Sequence, residues 1–106
     1  MSGVYVLKDS ETNLLKIGRA TNLKERLSNL RTANPRLELV QWFETDDDST
    51  VEAYIHSKLV KHRKSGEFFE INSVIAISEI ESILNLLSKK PSNEEVDTVK
   101  SISDLA

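Results

Sequence analysis

Two short runs of strand formers at the start of the chain, Gly3-Val4-Tyr5-Val6-Leu7 and Leu14-Leu15-Lys16-Ile17-Gly18, limit its fold more than any other feature. Between them stands Asp9-Ser10-Glu11-Thr12-Asn13, a polar cluster of residue types that turn a chain back on itself. The spacing predicts an antiparallel hairpin, and a hairpin needs further strands or helices to cover it. Thr21-Asn22 offers a helix cap, Leu23, Leu27 and Leu30 recur on one helical face, and Asn34-Pro35 stops the run. Leu37 to Phe43 is rich in strand formers but alternates only loosely. Asp46-Asp47-Asp48-Ser49-Thr50 opens a second helix with Val51, Ile55 and Leu59 as its buried stripe and Gly66 as its stop. Glu67 to Ile71 reads as a short edge strand. From Asn72 an amphipathic helix follows to about Lys89, with Ala76, Ile77, Ile80, Ile83, Leu84 and Leu87 on one side.

These elements predict an α+β fold, a small three-stranded, largely antiparallel sheet flanked by helices. Residues 1–90 form one domain, and residues 91–106 read as a polar, flexible tail in which Val96, Val99, Ile102 and Leu105 carry the periodicity of a short docking helix. With 106 residues the chain holds a single core. It lacks cysteine, which excludes disulfides and thiolate metal sites and is compatible with a cytoplasmic location. No apolar run approaches the roughly 18–20 residues that span a bilayer, so no membrane association is expected.

The net charge of −3 argues at first against a polyanionic partner. Its distribution reverses that: residues 1–36 carry seven basic and three acidic side chains, whereas residues 67–106 carry three against eight. Phosphate binding follows local clustering, so Lys8, Arg19, Lys24 and Arg31, with Arg63 further on, are the expected nucleic-acid contacts. Ordinary surface asymmetry would produce the same numbers.

Three placements carry chemistry. Arg26 projects about 60° from the leucine face of its helix, which packs its stem at the core edge and suits either a phosphate fork or a pair with a local carboxylate. Glu52, Arg63 and His56 project as a polar stripe beside the buried stripe of the second helix, and His62 projects onto the apolar one as a packing residue. Glu52 and His56 stand at i and i+4, so they can share a ligand or a proton, or form a plain surface pair. A lone carboxylate with retained waters suits magnesium better than zinc. Tyr5 and Lys16 lie on adjacent strands, where the ammonium could favour the phenolate, or the two could be a routine cross-strand pair.

Read together, these positions resemble the GIY-YIG superfamily of nuclease domains. Gly3-Val4-Tyr5 matches its first motif, and Lys16-Ile17-Gly18 its second, with lysine in place of tyrosine. Arg26 looks like its helix arginine, Glu52 like its metal glutamate, and Glu67-Phe68-Phe69 like the closing motif of a small phage- and bacteria-associated branch. The likeness covers residues 3 to about 71. It implies metal-dependent endonuclease activity with Mg2+ or Mn2+, on DNA rather than RNA. Tyr5 would activate or position the attacking water, and Lys16 would tune Tyr5 or contact phosphate. Arg26 would neutralise phosphoryl charge, Glu52 would hold the metal, and His56 would relay a proton or hold the scissile phosphate. Asn72 follows the last strand and reads as a helix cap. The alternatives are a non-catalytic nucleic-acid-binding module on the same fold and a protein-interaction domain using Trp42 and the C-terminal helix. Family specificity usually comes from attached parts, which leaves room for a homodimer or an accessory specificity partner.

Overall fold

The structure, a computed structural model, describes residues 1–88. The tail at 91–106 and its docking helix lie outside the described residues. In chain order the elements are β1 (Gly3–Asp9), β2 (Leu15–Ala20), α1 (Leu23–Ala33), β3 (Leu37–Glu44), α2 (Asp48–Lys58), a 3-10 turn (Val60–His62), β4 (Arg63–Ser65), β5 (Phe68–Phe69) and α3 (Ser73–Ser88). The strands form one antiparallel sheet in the order β3-β1-β2-β5-β4. The expected α+β architecture is present, with the three long strands β3, β1 and β2 side by side at one end of the sheet.

The hairpin forms as the turn residues dictate. Asn13 takes the left-handed conformation at φ 62°, and the Asp9 carboxylate accepts from the amides of Glu11 at 2.8 Å and Thr12 at 3.0 Å. In β1–β2 register Tyr5 faces Gly18 and Leu7 faces Lys16, so these four share one side of the sheet. There α1 covers them: Tyr5, Leu7, Ala20 and Leu37 pack with Leu23, Leu27 and Leu30. Val4, Val6, Leu15 and Ile17 occupy the other side beneath α2 and α3, with Val51, Ile55, Leu59, Ala76 and Ile80. The sheet is therefore covered on both faces, which is why β1 reads as a nearly unbroken apolar run. Asn22 caps α1, its side chain accepting from the Glu25 amide at 3.0 Å. Asn72 does the same for α3, accepting from Val74 at 2.8 Å and Ile75 at 3.2 Å, as its place in the sequence predicts.

The sheet has five strands rather than three: the short strand expected at Glu67–Ile71 is β5, and β4, which the sequence does not show, takes the edge beyond it. The second helix stops at Lys58, and the segment up to Gly66 becomes a 3-10 turn and then β4 rather than further helix. Gly66, at φ 53°, turns β4 into β5 instead of ending a helix. The change of helix type resets the phase after Leu59, so the projection fails beyond that point. His62 is exposed rather than packed, and Arg63 leaves the Glu52–His56 stripe to donate to the Gly66 carbonyl at 2.9 Å. β5 pairs with β2 at Leu15 and Lys16, and the Ile17 amide adds a bond to the Glu67 carbonyl at 2.9 Å. Beyond Ile17 the outer edge of β2 has no partner strand among the described residues.

Candidate active site at the uncovered edge of the sheet

The bare end of β2 opens into a cleft of about 460 Å³ lined by Arg19 to Asn22 of the β2–α1 junction, Glu25, Arg26 and Asn29 of α1, Glu52 of α2, and Glu67. Each element delivers its residue for a local reason. Tyr5 and Lys16 come from the α1 side of the sheet, whereas Arg19, opposite Val4, comes from the α2 side. Glu67 stands where the ladder of β5 has ended and reaches around the edge. Gly18 makes this crossing feasible, because a Cβ there would collide with the Tyr5 hydroxyl, the Tyr5 ring and the Glu67 carboxylate.

Glu67 is the centre of the cluster. Its Oε1 accepts from the Tyr5 hydroxyl at 3.1 Å and pairs with Lys16 Nζ at 3.2 Å. The Lys16 ammonium also lies 4.8 Å from the Phe68 ring centroid. Lys16 is thus spent on Glu67 and Phe68. Burial and the charge of Glu67 push the Tyr5 phenol up to about 12, with the Arg26 guanidinium opposing them. At neutral pH Tyr5 is a donor and not a phenolate. Arg26 comes down from α1 with its Nε buried and without a hydrogen-bond partner, a costly condition.

Glu52 approaches from the other side. Burial and the nearby charge of Glu67 raise its pKa, against the pull of His56 and Arg19. Arg19 Nε lies 3.3 Å from Glu52 Oε1, and Arg19 Nη1 lies 3.3 Å from Asp48 Oδ2. His56 stands behind this pair, its Nε2 2.8 Å from the Ile17 carbonyl and 3.9 Å from Glu52 Oε2. A carbonyl accepts only, so Nε2 carries a proton and donates it there. The imidazole also meets the Phe69 ring edge-on at 5.0 Å. It is anchored, and it lies outside the cleft lining.

Of the residues expected at the site, Arg26 and Glu52 line the cleft, Lys16 and the buried Tyr5 lie outside its lining and reach it only through Glu67, and His56 stands behind Glu52. The expected nucleic-acid contacts divide. Arg19 is in the cleft, and Lys24 lines a shallow depression that shares Asn22, Glu25 and Asn29 with it. Arg31 donates to the Leu37 carbonyl at 3.0 Å, and Lys8 borders a separate hollow beside Asn72 and Ser73. Sequence reasoning gives no role to Glu67 or Asp48. Glu67 had a signal, as an acid immediately before a Phe-Phe pair, while Asp48 was hidden in an acidic run that reads as helix capping.

Fold and site together define an α+β domain with an acid-rich cleft, backed by arginine, at an open sheet edge. The T5orf172 domain is the family whose model matches, over residues 2–88, and the chain belongs to that family. This corrects the GIY-YIG resemblance. Its three-residue motifs coincide with demands of local packing, since Gly3 and Gly18 both sit where a Cβ would collide with neighbours. The chain is also 35% identical over 75 residues to a putative KilA-N domain-containing protein, 315L, of Invertebrate iridescent virus 6. The match covers 64% of this chain and 32% of the viral protein, so the chain spans about a third of that relative's length. No solved structure matches. Among the described residues no helix is long and apolar enough to cross a membrane.

Proposed function

We propose that this domain cleaves nucleic-acid phosphodiester bonds, DNA in preference to RNA, with Mg2+ or Mn2+ at Glu52. Membership of the T5orf172 family and the likeness to a viral KilA-N domain-containing protein support the coarser reading of a nucleic-acid-binding or nuclease-like module. The observation that carries the finer one is the close approach of two carboxylates, Glu52 and Glu67, in a cleft that Arg26 also lines. The lining has three carboxylates against two guanidiniums, so a phosphate enters readily only with a compensating cation.

The donor set fits a small hard ion. Glu52 supplies carboxylate oxygen beside Glu67, and the described residues hold no cluster of three metal-binding side chains. Water and substrate oxygens would complete the coordination, as magnesium prefers. When bound, such an ion supplies charge neutralisation at the phosphate and at the leaving oxygen. Arg26 donates to the phosphoryl oxygens as their charge grows. Glu67, held by Tyr5 and Lys16, takes a proton from the attacking water. The water oxygen bonds to phosphorus, the ester bond to the leaving oxygen breaks, and that oxygen is protonated from solvent. The reading includes a cytoplasmic setting and a partner or second copy that supplies specificity.

A second reading, a binding module without turnover, is favoured by the ion pairs of the free protein. Glu52 already has Arg19, and Glu67 already has Lys16. Incubating supercoiled plasmid with Mg2+ or Mn2+ separates the two. Wild type should nick or linearise it, and folded Glu52→Gln should lose at least about a hundredfold in rate. Equal cleavage by folded Glu52→Gln defeats the metal assignment, and an inert wild type leaves the binding module.

A further inference from the structure

We infer that Arg19 is a built-in counter-ion that occupies the cation site of the free protein and must withdraw before a divalent ion enters. This rests on the divalent-ion reading of Glu52. Asp48 and Glu52 stand one turn apart on α2, and the Arg19 fork spans them, with Nη1 at 3.3 Å from one and Nε at 3.3 Å from the other. The acids are the fixed partners, their side chains 12% and 19% exposed, while Arg19 is 49% exposed and is the mobile one. Arg19 also lines the cleft with Arg26, so a side-chain rotation moves its charge from carboxylate to the space a phosphate would fill.

A guanidinium and a divalent ion then compete for the same oxygens. Nucleic acid offers Arg19 another anion, so phosphate and divalent ion each strengthen the binding of the other, and by the same factor. The free domain binds the ion weakly for this reason, in addition to its small number of carboxylates.

The test is Mn2+ titration with unbound Mn2+ read by electron paramagnetic resonance. Arg19→Gln should bind Mn2+ roughly five- to thirtyfold more tightly than wild type, the factor that loss of two partly exposed ion pairs gives. Arg19→Lys, which keeps charge but loses the fork, should gain less. Adding Glu52→Gln to Arg19→Gln should abolish the gain, and Lys61→Gln, one charge removed from the turn after α2, should leave affinity unchanged. A short DNA duplex should tighten Mn2+ binding in wild type and do less in Arg19→Gln. Thermal melts with and without Mn2+ confirm that each variant folds. Arg19→Gln and Arg19→Lys binding no more tightly than wild type overturns the inference, while cleavage sensitive to Glu52→Gln would leave the nuclease reading intact. Absence of Mn2+ binding in every protein, with no plasmid cleavage, overturns both.

Discussion

A methyl group on Gly18 would overlap the Tyr5 hydroxyl and the Glu67 carboxylate at once. Gly18→Ala should therefore push both groups aside, with a stability loss of about 1–3 kcal/mol, the range for overpacking a filled site, and with loss of cleavage beyond what unfolding explains. Denaturant melts alongside a plasmid assay on the folded fraction check this. Unchanged activity would show that the Tyr5–Glu67 contact is dispensable. Gly3 is also tight, but against Trp42 and the Phe43 carbonyl, on the far side of β1 from β2. Its reason is packing alone. Trp42 sits half-buried, packed against the α1-side core. Residue identity announced Tyr5, Arg26 and Glu52, because helical projection and hairpin pairing each fix a direction. It gave Glu67 only as part of a motif, without a direction, because that depends on where a two-residue strand stops.

Asp9 joins three elements. Beyond the hairpin amides, its carboxylate accepts from Asn34 Nδ2 at 2.8 Å, at the end of α1, and faces Arg36 Nε at 3.5 Å, at the entry to β3. The Asn34 hydrogen bond, then the turn amides, lower its pKa from 3.8 to about 2. The folded form prefers the ionised carboxylate, so this stabilisation is complete above about pH 4 and is lost as pH falls towards about 2. Asp9→Asn should remove that part of the acid limb in a pH series of thermal melts, since an amide cannot accept from Asn34 and the turn amides as the carboxylate does. An acid limb of the same shape in the variant would place the titration elsewhere. Elements with caps and long periodicity, α1 and α3, are legible in the sequence. β3 alternates poorly because of a bulge between its pairings to Val6 and Leu7, which puts Val40 on the α2–α3 side. β5 falls inside the short strand read at Glu67–Ile71, but β4 is too short for any periodicity to show, and the apolar stripe through Leu59 continues the look of a helix past its end.

Across the whole molecule, sequence segments and surfaces do not coincide. The basic first third suggests one cationic face, yet its charges are dispersed by the sheet. Lys8 pairs with Leu15, on the side of the sheet covered by α2 and α3, and lies in a hollow apart from the cleft. Lys24 is exposed on α1, whose outer surface continues the cleft wall. A duplex lying over the cleft and α1 therefore meets Lys24 and misses Lys8. Each phosphate neutralised releases condensed counter-ions, adding about 0.9 to the slope of log affinity against log salt on duplex DNA. In the Glu52→Gln background, where binding can be followed without turnover, Lys24→Gln should flatten that slope by about 0.9 and Lys8→Gln should leave it unchanged. Fluorescence anisotropy with a labelled duplex over a salt series measures both. Equal flattening by the two variants would mean that the nucleic acid wraps the hairpin end as well, and a flat response to both would move the docking surface away from α1. The acid-rich cleft contributes little to this slope, because three carboxylates line it against two guanidiniums. Ground-state affinity should come from α1 and its surroundings, and the cleft should matter chiefly where charge develops on the phosphate.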